Sequence, residues 1–164
     1  MKSVIIYYSF SGNTKKVAEC LAEYLTAKGE VDTIELKDLN ENGKFFSQCR
    51  KAFRHAKTDL QETNINLAGY DLICFGTPVW AFAPAPAMNT YLDKCSGVEG
   101  KEIVLFTTYG SGTGNNRCLN YIQNILTQKG AKNFKIFSIQ QFKVEDKALV
   151  LSKIKEVTRL WPNG

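Results

Sequence analysis

Three stretches of this chain are apolar without interruption: "VIIYY" (Val4 to Tyr8), "LICF" (Leu72 to Phe75) and "IVLF" (Ile103 to Phe106). A strand with one wet face alternates apolar and polar residues. Unbroken runs of this length fit strands covered on both faces, as in a parallel sheet between two helical layers. The stretches between them have helical spacing. From Thr14 to Lys28, Val17, Ala18, Leu21 and Leu25 share one face, and Gly29 is a stop signal. From Asn115 to Lys129 the inward set is Leu119, Ile122, Ile125 and Leu126, ending at Gly130.

The full reading places strands at about Lys2 to Tyr8, Val31 to Leu36, Asp71 to Gly76, Glu102 to Thr107 and Asn133 to Ile139. Further helices are expected from Phe45 to Lys57, from Pro86 to Lys94 and from Glu145 to Leu160, the last with Val150, Ile154 and Val157 inward. Regular strand–helix alternation implies an α/β three-layer sandwich with helices on both faces of a five-stranded parallel sheet. "VDTIEL" and "NFKIFSI" carry charges, as sheet edges do. Strands one, three and four then lie inside, in the order 2-1-3-4-5. With 164 residues, no repeat and no linker, one domain covering 1–164 is expected.

Composition bounds the function. Hydrophobic residues make up 44% and charged residues 23%, ordinary for a soluble globular chain. The net charge is +5, but lysines and acids are interspersed, so no nucleic-acid surface is expected. The apolar start is too short for a signal peptide and no run approaches a membrane span, which predicts a cytoplasmic protein without membrane partners. The five cysteines lie far apart, with no CxxC or CxxH pair. They read as buried thiols in a reducing compartment, and no metal site is expected. The single histidine, His55, sits among basic residues and supports no Ser-His-Asp or Cys-His set, so no catalytic residue is assigned.

In a sheet of this order, ligands bind beyond the carboxyl ends of the strands, where connections diverge. Three loops meet there. "SFSGNT" (Ser9 to Thr14) has a glycine for a tight turn, hydroxyl and amide side chains, a helix start and no acid, which suits an anion. It lacks the GxxxxGK[ST] pattern of a triphosphate loop. "GTPVWAFAPAPAMNTYL" is uncharged and stiffened by prolines, with Trp80 and Phe82 as a shelf for a flat ring. "TTYGSGTGNN" brings backbone close to a ligand and offers Tyr109 for stacking. Each loop alone is also a plain turn, a packed tryptophan or a flexible cap. Together they fit a flat, phosphorylated aromatic compound, for which FMN is the candidate.

With these residues in view, nearly the whole chain resembles a flavodoxin of the short type. "YYSFSGNT" is similar to that family's phosphate loop, "YDLICFGTPVW" to its third strand and first flavin loop, and "TTYGSGTG" to its second. The resemblance implies that Ser9, Phe10, Ser11, Gly12, Asn13 and Thr14 bind the FMN phosphate. It implies that Pro78, Val79, Trp80 and Ala81 line one side of the isoalloxazine, and that Thr107, Tyr109, Gly110 and Gly112 meet its pyrimidine edge and other face. Electron transfer follows as the expected function, to a redox partner protein or a small-molecule acceptor. The alternative is an enzyme of the same architecture, in which NAD(P)H reduces the flavin and a quinone or other small acceptor reoxidises it. An open face over the flavin favours the enzyme, and a ring sandwiched by Trp80 and Tyr109 favours the carrier.

Two departures from the family matter. Its carriers are acidic around the flavin, whereas these loops hold no Asp or Glu and adjoin Lys15, Lys16 and Arg117, which predicts a less negative potential. The family often has a glycine beside the flavin N5. "VWAFAPAP" has none, and a non-glycine at positive φ is costly, so weak stabilisation of the neutral semiquinone is expected. The basic side of the helix from Phe45 to Lys57 (Arg50, Lys51, Arg54, Lys57) is a solvated face or a docking surface for an acidic partner.

Overall fold

A computed structural model describes residues 1–39, 54 and 57–158. The expected helix from Phe45 to Lys57, apart from Arg54 and Lys57, lies outside them, as does His55. Parallel strands β1 (Lys2–Tyr7), β2 (Glu30–Glu35), β3 (Leu72–Trp80), β5 (Glu102–Tyr109) and β6 (Asn133–Gln140) form the sheet in the order β2-β1-β3-β5-β6. That is order 2-1-3-4-5 when only the parallel strands are counted. Ile5 pairs with Cys74, and Cys74 with Val104, so the central strands lie in register at mid-sheet.

Alternation along these strands divides the core in two. Val4, Ile6, Ile73, Phe75, Ile103 and Leu105 face α2 (Pro86–Lys94) and α3 (Asn115–Gln128). Ile5, Cys74, Val104 and Phe106 face α1 (Asn13–Thr26) and α4 (Lys147–Thr158). Central strands are buried on both faces, while β2 is largely exposed. The inward residues of α1 are those its spacing predicts; Ile125 and Val157 are only partly buried. The last helix starts at Lys147, two residues later than its periodicity suggests. A short 3₁₀ turn, Gln141–Lys143, comes first, and the Asp146 carboxylate accepts the N–H of Leu149 at 3.0 Å.

The third strand departs most from expectation. It does not stop at Gly76 but continues to Trp80, turns at Ala81 and Phe82, and returns as β4 (Ala83–Pro84), antiparallel to its own end. Trp80 pairs with Ala83 across this two-residue turn. Both turn residues have positive φ, 47° for Ala81 and 71° for Phe82. Tight hairpins require that sign because their twist must match the strands. Left-handed backbone is costly for residues other than glycine, yet this turn adopts it without one. Pairing on both sides of the turn imposes it.

Candidate functional site

The ends of β1, β3 and β5 converge on a cavity of about 520 Å³. Phe10, Ser11, Asn13 and Thr14 line it from the first loop, and Pro78, Val79, Trp80, Ala81 and Phe82 from the hairpin. Thr108, Tyr109, Gly110, Ser111, Gly112 and Thr113 line it from the third loop. The carboxamide-bearing Gln141, beyond β6, completes the wall. No Asp or Glu is among the described residues that line it.

The first loop is built around Gly12, the residue before α1, with φ 85°. The left-handed backbone swings the chain into the helix, and the position favours glycine although a Cβ would meet nothing within 4 Å. Gly12, at the N-cap position, makes no side-chain cap bond. Ser9 Oγ accepts the N–H of Lys15 at 3.2 Å. The N–H groups of Asn13 and Thr14, in the first turn, have no partner within the helix, and both residues line the cavity. Such a start favours an anion through its amides and the helix dipole. Behind it, Thr14 Oγ1 and Thr108 Oγ1 are hydrogen-bonded at 2.8 Å, both buried.

The hairpin supplies the apolar wall. Trp80 is only 5% exposed and stands edge-on to Tyr8 and Phe10, with ring centroids 5.6 Å away in both cases. Its indole is held by the core as much as it is offered to the cavity. Phe82 is the exposed ring, at 38%. Thr77 Oγ1 accepts the N–H of Ala85 at 3.1 Å and ties the return strand to β3.

Hydrogen bonds from outside brace the third loop. Thr107 Oγ1 donates to Asn115 Oδ1 at 2.6 Å, Asn115 Nδ2 donates to Ser138 Oγ at 2.8 Å, and Thr107 Oγ1 and Ser138 Oγ lie 2.9 Å apart. This closed triangle joins β5, α3 and β6. Gln140 Nε2 donates to the carbonyl of Gly110 at 3.1 Å. The ring of Tyr109 lies against Gly112, where a Cβ would sit 3.4 Å from it.

Most of the residues singled out from sequence thus share one cavity. Ser9, Gly12 and Thr107 are beside it rather than in its wall: Ser9 receives Lys15, Gly12 shapes the turn and Thr107 anchors the triangle. Sequence reasoning did not single out Thr108 or Gln141. The first has a signal in strand alternation, since Val104 and Phe106 belong to the face that α1 covers and Thr108 follows the same parity. Gln141 has none, because it comes from a turn beyond β6.

Charge near the cavity is partly neutralised. Lys15 pairs with Glu35 at 3.7 Å and Lys37 with the same carboxylate at 2.8 Å, while Lys16 pairs with Glu145. Burial would raise the Glu35 carboxyl, but hydrogen bonds and charge from Lys37 and Lys15 prevail and hold it below the usual range. Arg117 is exposed on the first turn of α3.

These residues fit FMN. The volume is that of a small-molecule site. The helix start with its buried hydroxyl pair suits a phosphate, and the hairpin wall suits a flat ring.

Residues 1–143 match the model of a family described as NADPH-dependent FMN reductase. Solved structures of similar fold include a flavoprotein in complex with FMN from Lactobacillus acidophilus NCFM, 24% identical, with TM-score 0.66 over 90% of this chain and 98% of that one. Oxidised flavodoxin 1 from Bacillus cereus is 18% identical, with TM-score 0.61 over 94% and 98%. An azoreductase is 19% identical, with TM-score 0.61 over 98% of each chain. At these identities the likeness establishes the flavodoxin-like fold.

Proposed function

Because the chain belongs to the NADPH-dependent FMN reductase family, an FMN-binding and electron-transferring family of flavodoxin-like fold, we propose that it passes electrons from NAD(P)H to a small organic acceptor. Quinones and azo or nitro compounds are the acceptor classes that suit an apolar cavity. One observation carries this reading over that of a carrier serving a protein partner. Trp80 is buried and held edge-on to Tyr8 and Phe10. Trp80 is therefore not placed to swing over a bound ring, which leaves a second flat molecule a face to approach.

The residues take their roles from position. The amides of Asn13 and Thr14, with the Ser11 and Thr14 hydroxyls, hold the phosphate. Ser9 steadies the first turn by accepting from Lys15. Pro78, Val79, Trp80 and Ala81 exclude water from one side of the ring, with Phe10 closing the wall. Tyr109, Gly110 and Gly112 present main chain to its pyrimidine edge, held in place by the Thr107 triangle and by Gln140. Bound FMN supplies the acceptance and return of two electrons. Phe82 and Gln141, at the mouth, are placed to meet the acceptor.

We assign the protein to the cytoplasm. Cys20, Cys74, Cys95 and Cys118 are all buried and free, and burial pushes the Cys95 thiol up to about 11 and that of Cys118 to about 12. Such thiols are inert and suit a reducing compartment. Among the described residues no helix is long and apolar enough to cross a membrane.

Steady-state oxidation of NADPH and NADH by FMN-loaded protein, with a quinone and an azo dye as acceptors, tests the assignment. Turnover faster than with free FMN is expected. Loaded protein that neither pyridine nucleotide reduces, yet which exchanges electrons with a reduced ferredoxin, overturns it in favour of the carrier.

A further inference from the structure

We infer that Thr108 is a positioning residue for the phosphate, acting through Thr14, and that this pair gives the site its preference for the phosphorylated flavin over riboflavin. The inference rests on the FMN reading. Thr14 is the second residue of α1 and Thr108 lies near the end of β5. Their hydroxyl oxygens are 2.8 Å apart, and both residues are among those that line the cavity. Thr14 is 1% exposed and Thr108 3%.

A hydroxyl carries one hydrogen. When two hydroxyls pair, one donates to the other and a single hydrogen is left over. Neither hydroxyl has a second protein partner among the described residues. The remaining hydrogen therefore lies in a buried place that borders the cavity, where a donor without an acceptor is unfavourable. It calls for an oxygen atom from a ligand.

The helix start decides which hydroxyl supplies that hydrogen. Thr14 carries its hydroxyl beside the free amides of the first turn, so its hydrogen belongs to the anion. Thr108 then donates to Thr14. Accepting this bond polarises the Thr14 hydroxyl and strengthens its donation to a charged oxygen. Because β5 is a central strand, Thr108 also fixes the rotamer of Thr14 from a rigid element.

The test measures dissociation constants of FMN and riboflavin by quenching of flavin fluorescence, for the unsubstituted protein and for Thr108→Val, Thr108→Ser, Thr14→Val and the double valine variant. Thr108→Val is expected to weaken FMN about tenfold and riboflavin less than about twofold, since what is lost is the orientation and polarisation of the Thr14 hydroxyl toward a charged group that riboflavin lacks. Thr108→Ser keeps the hydroxyl and is expected to bind FMN as the unsubstituted protein does. In the Thr14→Val background, Thr108→Val is expected to add nothing, because its receiving oxygen is gone. Equal losses for FMN and riboflavin, additive losses in the double variant, or no loss at all would overturn the inference while leaving FMN binding intact. Unsubstituted protein that binds neither flavin would instead bring down the cofactor reading and this inference with it.

Discussion

The ring of Phe82 rests on the backbone of Gly114: a Cβ at residue 114 would lie 1.9 Å from Phe82 Cδ1. One residue turns the hairpin after β3 and the other precedes α3, so this contact joins two walls of the cavity. Gly114 also has φ 82°, where a side chain is strained even with room around it. Gly114→Ala is expected to destabilise the protein by about 1–2 kcal/mol, seen as a melting temperature lower by roughly 3–8 °C. Phe82 is partly exposed and can swing outward, so Phe82→Ala in the same chain is expected to recover the steric share and leave the backbone share. Calorimetry on the four proteins of this cycle checks it; an additive cycle would show that the two residues do not press on one another.

The turn itself holds two non-glycine residues at positive φ. Left-handed backbone costs an ordinary L-residue about 1 kcal/mol, and asparagine less, because its side chain bonds locally. Ala81→Asn is therefore expected to raise the melting temperature by roughly 1–3 °C, corresponding to about 0.5 kcal/mol. It leaves the cavity wall formed by Val79 and Trp80 in place. An unchanged or lower melting temperature would mean that the turn is relaxed as it stands.

This turn marks where sequence reading stops. The central strands were legible because burial on both faces leaves an unbroken apolar run, and the three loops because their glycines and hydroxyls stand directly after those runs. The hairpin was not. Its turn residues are Ala-Phe, whereas the usual signal for this geometry is Asn-Gly. What holds Ala81 and Phe82 there is pairing between Val79 and Pro84 and between Trp80 and Ala83, together with the seat on Gly114. None of these contacts has a local pattern. For the same reason Trp80 reads from sequence as an open shelf, while Tyr8 and Phe10, seventy residues away in the chain, turn it into a wall. The choice between Thr107 and Thr108 was open to strand alternation, but the partners that separate them, Asn115 and Ser138 on one side and Thr14 on the other, come from three different elements.

Tyr7, at the end of β1, predicts an alkaline response. Burial, the negative charges of Glu35 and Glu19, and a hydrogen bond to Glu35 push its hydroxyl up to about 12. The ordinary value is about 10. The folded state thus favours neutral Tyr7. Its contribution to stability is complete below pH of about 10 and is lost as pH rises toward about 12. Urea unfolding across this range is expected to show the stability gap between unsubstituted protein and Tyr7→Phe constant below pH of about 10, then moving in favour of the phenylalanine above it. Curves that stay parallel up to the alkaline limit would sink this account. Because Glu35 also receives Lys15 and Lys37, the same loss is expected to loosen the start of α1.

The acid-free cavity carries the last prediction. A reduced flavin that bears negative charge is destabilised by carboxylates nearby, and none of the described residues lining this site carries one. The midpoint potential is therefore expected to lie above that of acidic flavodoxins. Ser111, exposed in the third loop and part of the wall, is the place to reverse the effect. A partly screened charge at this range interacts by on the order of 1 kcal/mol, which corresponds to roughly 20 mV for a two-electron couple. Ser111→Glu is expected to lower the midpoint by about that amount in dilute buffer, with the shift shrinking as salt approaches about 1 M, whereas Ser111→Gln leaves it in place. Potentiometric titration of the three FMN-loaded proteins decides the matter. If the glutamate and glutamine variants titrate together at low salt, charge around the cavity does not set the potential, and the absence of acids from these loops needs another cause.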